Sequence, residues 1–166
     1  QGRHIKAKCL DDLRRRDDGT PFVRSRLVAM DFNLFARDDV AAGTPYLFVM
    51  RLIVSLANSK KPRGRRQVGL YDASAGFSHA VNDEQLYITP PPGLRRLGYL
   101  WQLWKALYGT RRAAQLWQLY LGSMFASAQW VSVTCCPNTY YCLQLDVTTA
   151  IHGDDFIAQG VIVSLD

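Results

Sequence analysis

The sequence predicts an α+β fold, an antiparallel sheet with helices packed on it, and three observations carry that prediction. Two stretches place apolar residues at helical spacing: Leu47, Met50, Ile53, Val54 and Ala57, then Ala114, Trp117, Leu121, Met124 and Phe125. Between and beyond them lie short runs rich in β-branched and aromatic residues, bounded by Gly, Pro and Asp. The last such run, Val147 to Leu165, is broken only at Gly153-Asp154-Asp155 and reads as strand, turn, strand. Of the 166 residues, 48% are apolar, which is enough for a packed core and excludes a chain that is disordered throughout.

In chain order, Gln1 to Thr20 is polar and reads as an irregular leader, with one domain expected over residues 21–166. Phe22 to Asp31 alternates and reads as a strand with Arg24 and Arg26 on one face. Thr44-Pro45 predicts a helix start, a hydroxyl N-cap followed by proline at the first helical position. Asn58 to Arg66 reads as a basic loop. Gln67 to Tyr71 is a short strand ending at Asp72, and Ser74 to Ala80 one or two helical turns. Gln85 to Thr89 is a strand stopped by Pro90-Pro91-Pro92-Gly93. Trp101 to Tyr108 is apolar and ends at Gly109. Arg111 to Ala128 is the clearest amphipathic helix, and Tyr140 to Leu145, Val147 to Ile151 and Phe156 to Leu165 are strands.

The formal charge is +6, which favours an anionic partner, nucleic acid above all, against the alternative of a merely basic surface. Its distribution says more. No carboxylate lies between Glu84 and Asp146, a stretch that carries Arg95, Arg96, Lys105, Arg111 and Arg112. A second basic cluster is Lys60, Lys61, Arg63, Arg65 and Arg66; a third, Arg14 to Arg16, is offset by neighbouring aspartates. Cys9, Cys135, Cys136 and Cys142 lack paired zinc-ligand spacing, and Cys135-Cys136 reads as small residues in or beside a strand. The polar N-terminus and the short apolar runs predict an intracellular, reduced, soluble protein with no membrane partner.

Asp154 and Asp155 repel each other at a strand-turn-strand junction. A solvated loop tolerates such a pair; between apolar strands, a divalent cation with oxygen ligands would relieve the repulsion. Asp72 ends a strand before the small residues Ala73-Ser74-Ala75-Gly76, where an aspartate is either a helix cap or a ligand. The two support one another only if their strands are neighbours.

Several segments, in order, resemble the reverse transcriptase domain of copia-type retrotransposons. Arg24-Ser25-Arg26-Leu27-Val28-Ala29 is similar to the family's basic fingers strand. Tyr71-Asp72-Ala73-Ser74-Ala75-Gly76-Phe77 resembles its first catalytic motif, an Asp followed five residues later by an aromatic. Glu84-Gln85-Leu86-Tyr87-Ile88 with Pro91-Pro92-Gly93 resembles the E-x-V-Y-M-x-x-P-P-G stretch. The block Leu103-Trp104-Lys105-Ala106-Leu107-Tyr108-Gly109, continuing to Ala114 and Trp117, resembles L-x-K-A-L-Y-G-L-K-Q-A-P-R-x-W and is the most specific of the set. His152-Gly153-Asp154-Asp155 stands where the family has its Tyr-x-Asp-Asp box. His152 replaces that tyrosine, Gly76 stands where the family often has Ala, and Ala114 replaces a proline.

The resemblance implies the fingers and partial palm of a polymerase that transfers a dNTP to a primer 3′-hydroxyl on an RNA or DNA template. Asp72, Asp154 and Asp155 would be the catalytic, metal-binding carboxylates for two Mg²⁺ ions, with Mn²⁺ a substitute. Arg24, Arg26, Ala73, Phe77, Tyr108 and Gly109 would bind the nucleotide. Phe77 would lie under the sugar and exclude a 2′-hydroxyl; a core aromatic is its alternative reading. His152, Gly153, Lys105, Arg111 and Arg112 would face primer and template. The thumb, the ribonuclease H domain and the rest of a polyprotein are expected downstream, the location being the cytoplasm, a virus-like particle or the nucleus. An isolated piece without a thumb is expected to be inactive, too short to polymerise unaided, with the domain working as part of a larger chain. The alternatives are an inactive retrotransposon remnant that only binds nucleic acid, with Trp101, Trp104, Tyr108 and the nearby arginines supplying stacking and phosphate contacts, and an unrelated basic globular or interaction domain.

Overall fold

The computed structural model describes residues 2–32, 40–59 and 64–161. They form two compact units, one of residues 1–40 and 77–116, the other of residues 41–76 and 117–166. The architecture is mixed α+β, and each unit carries its own sheet.

The strands of the first unit are β1 (Arg3–Arg15), β2 (Pro21–Met30), β4 (Leu86–Ile88) and β5 (Trp101–Gln102). They form a four-stranded sheet in the order β2-β1-β4-β5. β1 and β2 make a long antiparallel hairpin, from Lys6 opposite Met30 to Arg15 opposite Pro21. The expectation of an irregular leader is therefore corrected. Its polarity misleads because the outer half of the hairpin is exposed on both faces, Leu13 and Val23 included, so it shows no apolar stripe. Only the inner half is buried, where Ile5 and Ala29 pack with Leu86 and Ile88. β1 runs parallel to β4, Ile5 opposite Ile88.

The strands of the second unit are β3 (Arg66–Asp72), β6 (Val131–Ser132), β7 (Thr139–Cys142), β8 (Val147–His152) and β9 (Asp155–Val161). They form a five-stranded, wholly antiparallel sheet in the order β3-β9-β8-β7-β6. Helix α1 (Leu47–Ala57) packs Val49 and Ile53 onto Ala150 and Ile157. Helix α2 (Ala113–Ser127), inside which the division between units falls, stacks Phe125 on Tyr140 with ring centroids 4.3 Å apart. Ala150 and Ile157 are register partners, as are Tyr140 and Thr149 one residue out of phase with them. Side chains alternate along a strand, so α1 and the Phe125 end of α2 cover opposite faces of this sheet.

Three sequence expectations shift. α1 starts at Leu47 with Tyr46 as N-cap and no side-chain cap, so Thr44 does not cap it. Met124 is half exposed, and the buried face of α2 is Ala113, Leu116, Trp117 and Leu121. The strand read over Tyr140 to Leu145 ends at Cys142, because residues 143–146 make the turn into β8. Cys135 and Cys136 lie in the turn between β6 and β7, one exposed and one buried. No helix among the described residues is long and apolar enough to cross a membrane.

Candidate functional site

β3 and β9 run antiparallel from Arg66 opposite Val161 to Asp72 opposite Asp155, so the two aspartates close the ladder side by side. Directly opposed residues in such a ladder point to the same face with Cβ atoms about 5 Å apart. On the other flank Asp155 is opposite His152 of β8. Asp72, Asp155 and His152 therefore form a row across three strands, all exposed. They line one cavity of about 470 Å³ together with Met50, Leu70 and Ile157. The row is on the α1 face, since Leu70 and Ile157 share it.

The hairpin that carries the acidic pair turns in two residues, Gly153 and Asp154. Gly153 has φ +62° and Asp154 has no positive φ, the pattern of a type II′ turn with glycine in its first central position. Two hydrogen bonds fix the turn. Ala73 N–H donates to the Asp154 carbonyl at 2.9 Å, tying the end of β3 to it. The Trp117 indole donates to the Gly153 carbonyl at 2.8 Å, tying it to α2.

The Asp154 carboxylate takes a different direction from Asp72 and Asp155. A Cβ built on Gly76 would stand 2.5 Å from its Oδ1 and 3.1 Å from a ring carbon of Trp117, so the carboxylate occupies the space that glycine leaves beside that ring. Accordingly, among the described residues no group of three His, Cys, Asp or Glu side chains is disposed to hold a metal ion as it stands. Asp72 and Asp155 are brought together; Asp154 joins them through the backbone. The carboxylates of Asp72 and Asp155 offer oxygen donors, the kind that Mg²⁺ or Mn²⁺ takes.

The remaining residues expected from the resemblance to face nucleotide, primer or template belong to the first unit. Arg24 and Arg26 are exposed on one face of β2, opposite Asp12 and Leu10. Phe77 lies in a 3-10 turn, Gly76–His79, half-buried with its ring 4.6 Å from that of Tyr108. Tyr108 and Gly109 run beside the end of β2: Ala29 N–H donates to the Tyr108 carbonyl at 2.7 Å and Asp31 N–H to that of Gly109 at 3.3 Å. Lys105 Nζ donates to the His79 carbonyl at 3.0 Å. The Arg111 backbone N–H donates to Asp31, and Arg112 pairs with Asp83 at 2.8 Å.

One group assigned to a basic loop proves structural. Arg66 is buried: its Nε donates to Gln159 at 2.7 Å, and its other nitrogens donate to the carboxylate and carbonyl of Asp146, both at 2.6 Å. Tyr141 donates to the same carboxylate at 3.2 Å. Arg66 is thus withdrawn from any phosphate-facing surface. Lys60, Lys61 and Arg63 lie outside the described residues. The sequence offered one hint of this pair, since Asp146 is the first acid after a stretch with none.

Compared with known proteins, the chain matches no family model, no curated protein and no solved structure.

Proposed function

We propose that the chain is an RNA-directed DNA polymerase domain of the copia retrotransposon type, with Asp72, Asp154 and Asp155 as its catalytic carboxylates. The observation that carries this reading is the register of Asp72 with Asp155 at the end of adjacent strands, the requirement that the sequence could state but not meet. It is supported by the ordered blocks of resemblance, from Arg24 through Lys105-Ala106-Leu107-Tyr108-Gly109 to Asp155.

In this mechanism Asp72 and Asp155 present oxygen ligands from one sheet face, and Asp154 completes the set by leaving Gly76. When bound, Mg²⁺ supplies charge stabilisation for an in-line phosphoryl transfer from dNTP to a primer 3′-hydroxyl. The hydrogen bonds from Ala73 and Trp117 hold the backbone of the turn, so that only the Asp154 side chain has to move. Arg24 and Arg26 offer guanidinium forks for triphosphate oxygens. Phe77, fixed against Tyr108, offers a ring whose position is set by packing, as selection against a 2′-hydroxyl demands.

Single-nucleotide addition to a primer on homopolymer RNA with Mg²⁺ is the least demanding test. Addition of one nucleotide does not call for the processive grip whose absence makes the isolated piece inactive as a polymerase, so the reading expects it from the wild-type chain and none from Asp154→Asn, with RNA affinity unchanged. Addition that survives Asp154→Asn removes the site assignment. A second reading, an inactive remnant that only binds nucleic acid, is favoured by the position of the Asp154 carboxylate against Gly76. It expects salt-sensitive RNA binding and no addition.

A further inference from the structure

We infer that a cleft in the first unit, formed by the segment from Pro90 to Trp101, binds single-stranded nucleic acid by stacking a base on Tyr99 or Trp101 and pairing phosphates with Arg95 and Arg96. The cleft encloses about 440 Å³ and is lined by these four residues together with Pro90 and Leu94. Asp72, Asp154 and Asp155 take no part in it, since all three belong to the second unit.

Strand pairing, a 3-10 turn and hydrogen bonds shape its walls. Trp101 is in β5, opposite Ile88 of β4. Pro90 is fully buried, and a 3-10 turn, Pro92–Leu94, follows it. Arg95 Nε reaches back to the Pro90 carbonyl at 3.5 Å. Arg96 to Tyr99 is a tight turn closed by Tyr99 N–H to the Arg96 carbonyl at 3.2 Å, with Gly98 at φ +79° in the position where a type II turn takes glycine. The turn thereby holds an arginine and a tyrosine at its two ends.

What the cleft presents to solvent defines its ligand. Tyr99 is 69% exposed and Trp101 38%, so both rings on this wall offer surface to a ligand. Both arginines are exposed, and neither has a carboxylate partner among the described residues. The first acid before them in the sequence is Glu84 and the first after them is Asp146. Exposed aromatic faces interleaved with uncompensated guanidinium groups match a polyanion that carries flat bases, and a duplex hides those faces in its stack.

The test is fluorescence anisotropy of labelled oligo(dT) and oligo(rU), about 15 nucleotides long, titrated with the 166-residue chain in EDTA without dNTP. Failure of the polymerase reading leaves this outcome untouched. Tyr99→Ala should weaken binding about 5- to 150-fold at every salt concentration, and Tyr99→Phe should restore it. Arg95→Ala with Arg96→Ala should reduce the slope of log affinity against log salt by about 1.4, the loss of two single-strand phosphate contacts. A charge-matched control, Arg15→Ala with Arg16→Ala, should leave the affinity within about twofold of wild type. Binding that falls equally in the control and the cleft variant, or that is unchanged in Tyr99→Ala, overturns the inference. So does a wild-type chain with no affinity for either oligonucleotide, which would leave the cleft to a protein partner. Circular dichroism of each variant separates lost binding from lost folding.

Discussion

Gly76 and Asp154 share one space: the Asp154 carboxylate stands where a side chain at position 76 would be. The family resemblance makes glycine for alanine at this position a mild change; the geometry makes it a coupled one. Gly76→Ala must displace the Asp154 carboxylate, because the new methyl would lie 2.5 Å from Oδ1. The expected cost is about 1 kcal/mol, typical of a small overpacking. Asp154→Ala should relieve most of it, so a double-mutant cycle in urea should show a coupling above about 0.5 kcal/mol. Additive effects would mean that the two side chains do not compete. At the same scale, Asp146→Ala leaves the buried Arg66 guanidinium without its counter-charge. A loss of about 3–5 kcal/mol is expected, read from the urea midpoint.

Strands and turns explain which parts of the fold were legible. β3, β4, β8, β9 and both helices announce themselves through runs or recurrences of apolar residues bounded by Gly, Pro and Asp. β1 does not, since its outer half has no buried face, and β6 is only Val131–Ser132, too short for any period. The hairpin turn at Gly153-Asp154 was readable from its residues, but the register of Asp72 with Asp155 was not, because pairing partners leave no local mark. The direction of the Asp154 carboxylate depends on Trp117 and Gly76, both distant from it in sequence. The α2 contact with β7 makes a further prediction. Burial of Tyr140 beneath Phe125 raises the phenol pKa by desolvation of its charged form. The folded state then keeps its proton while the unfolded chain ionises near pH 10, so stability is lost as pH rises above that ordinary value. Thermal unfolding should show a smaller drop between about pH 9 and 11 for Tyr140→Phe than for wild type. Equal drops would place the sensitivity elsewhere, for instance at Cys136, whose thiol pKa burial also raises.

For the whole molecule, charge and chemistry divide between the two units in the same way as the residues do. The carboxylate row belongs to the second unit, and the exposed arginines of β2 and of the Pro90–Trp101 cleft to the first. A net charge of +6 raises encounter with nucleic acid without deciding between catalysis and mere binding. Assigning the three aspartates to a metal site makes divalent-cation binding the decisive measurement. Mn²⁺ titration followed by electron paramagnetic resonance, with primer-template and dNTP present, should show bound ion that Mg²⁺ displaces. Asp72→Asn and Asp155→Asn should each weaken it by more than the roughly 10- to 100-fold that loss of an outer-shell partner costs, with oligonucleotide affinity unchanged. Mn²⁺ binding equal to wild type in both variants, or none in the wild-type chain, would contradict the account.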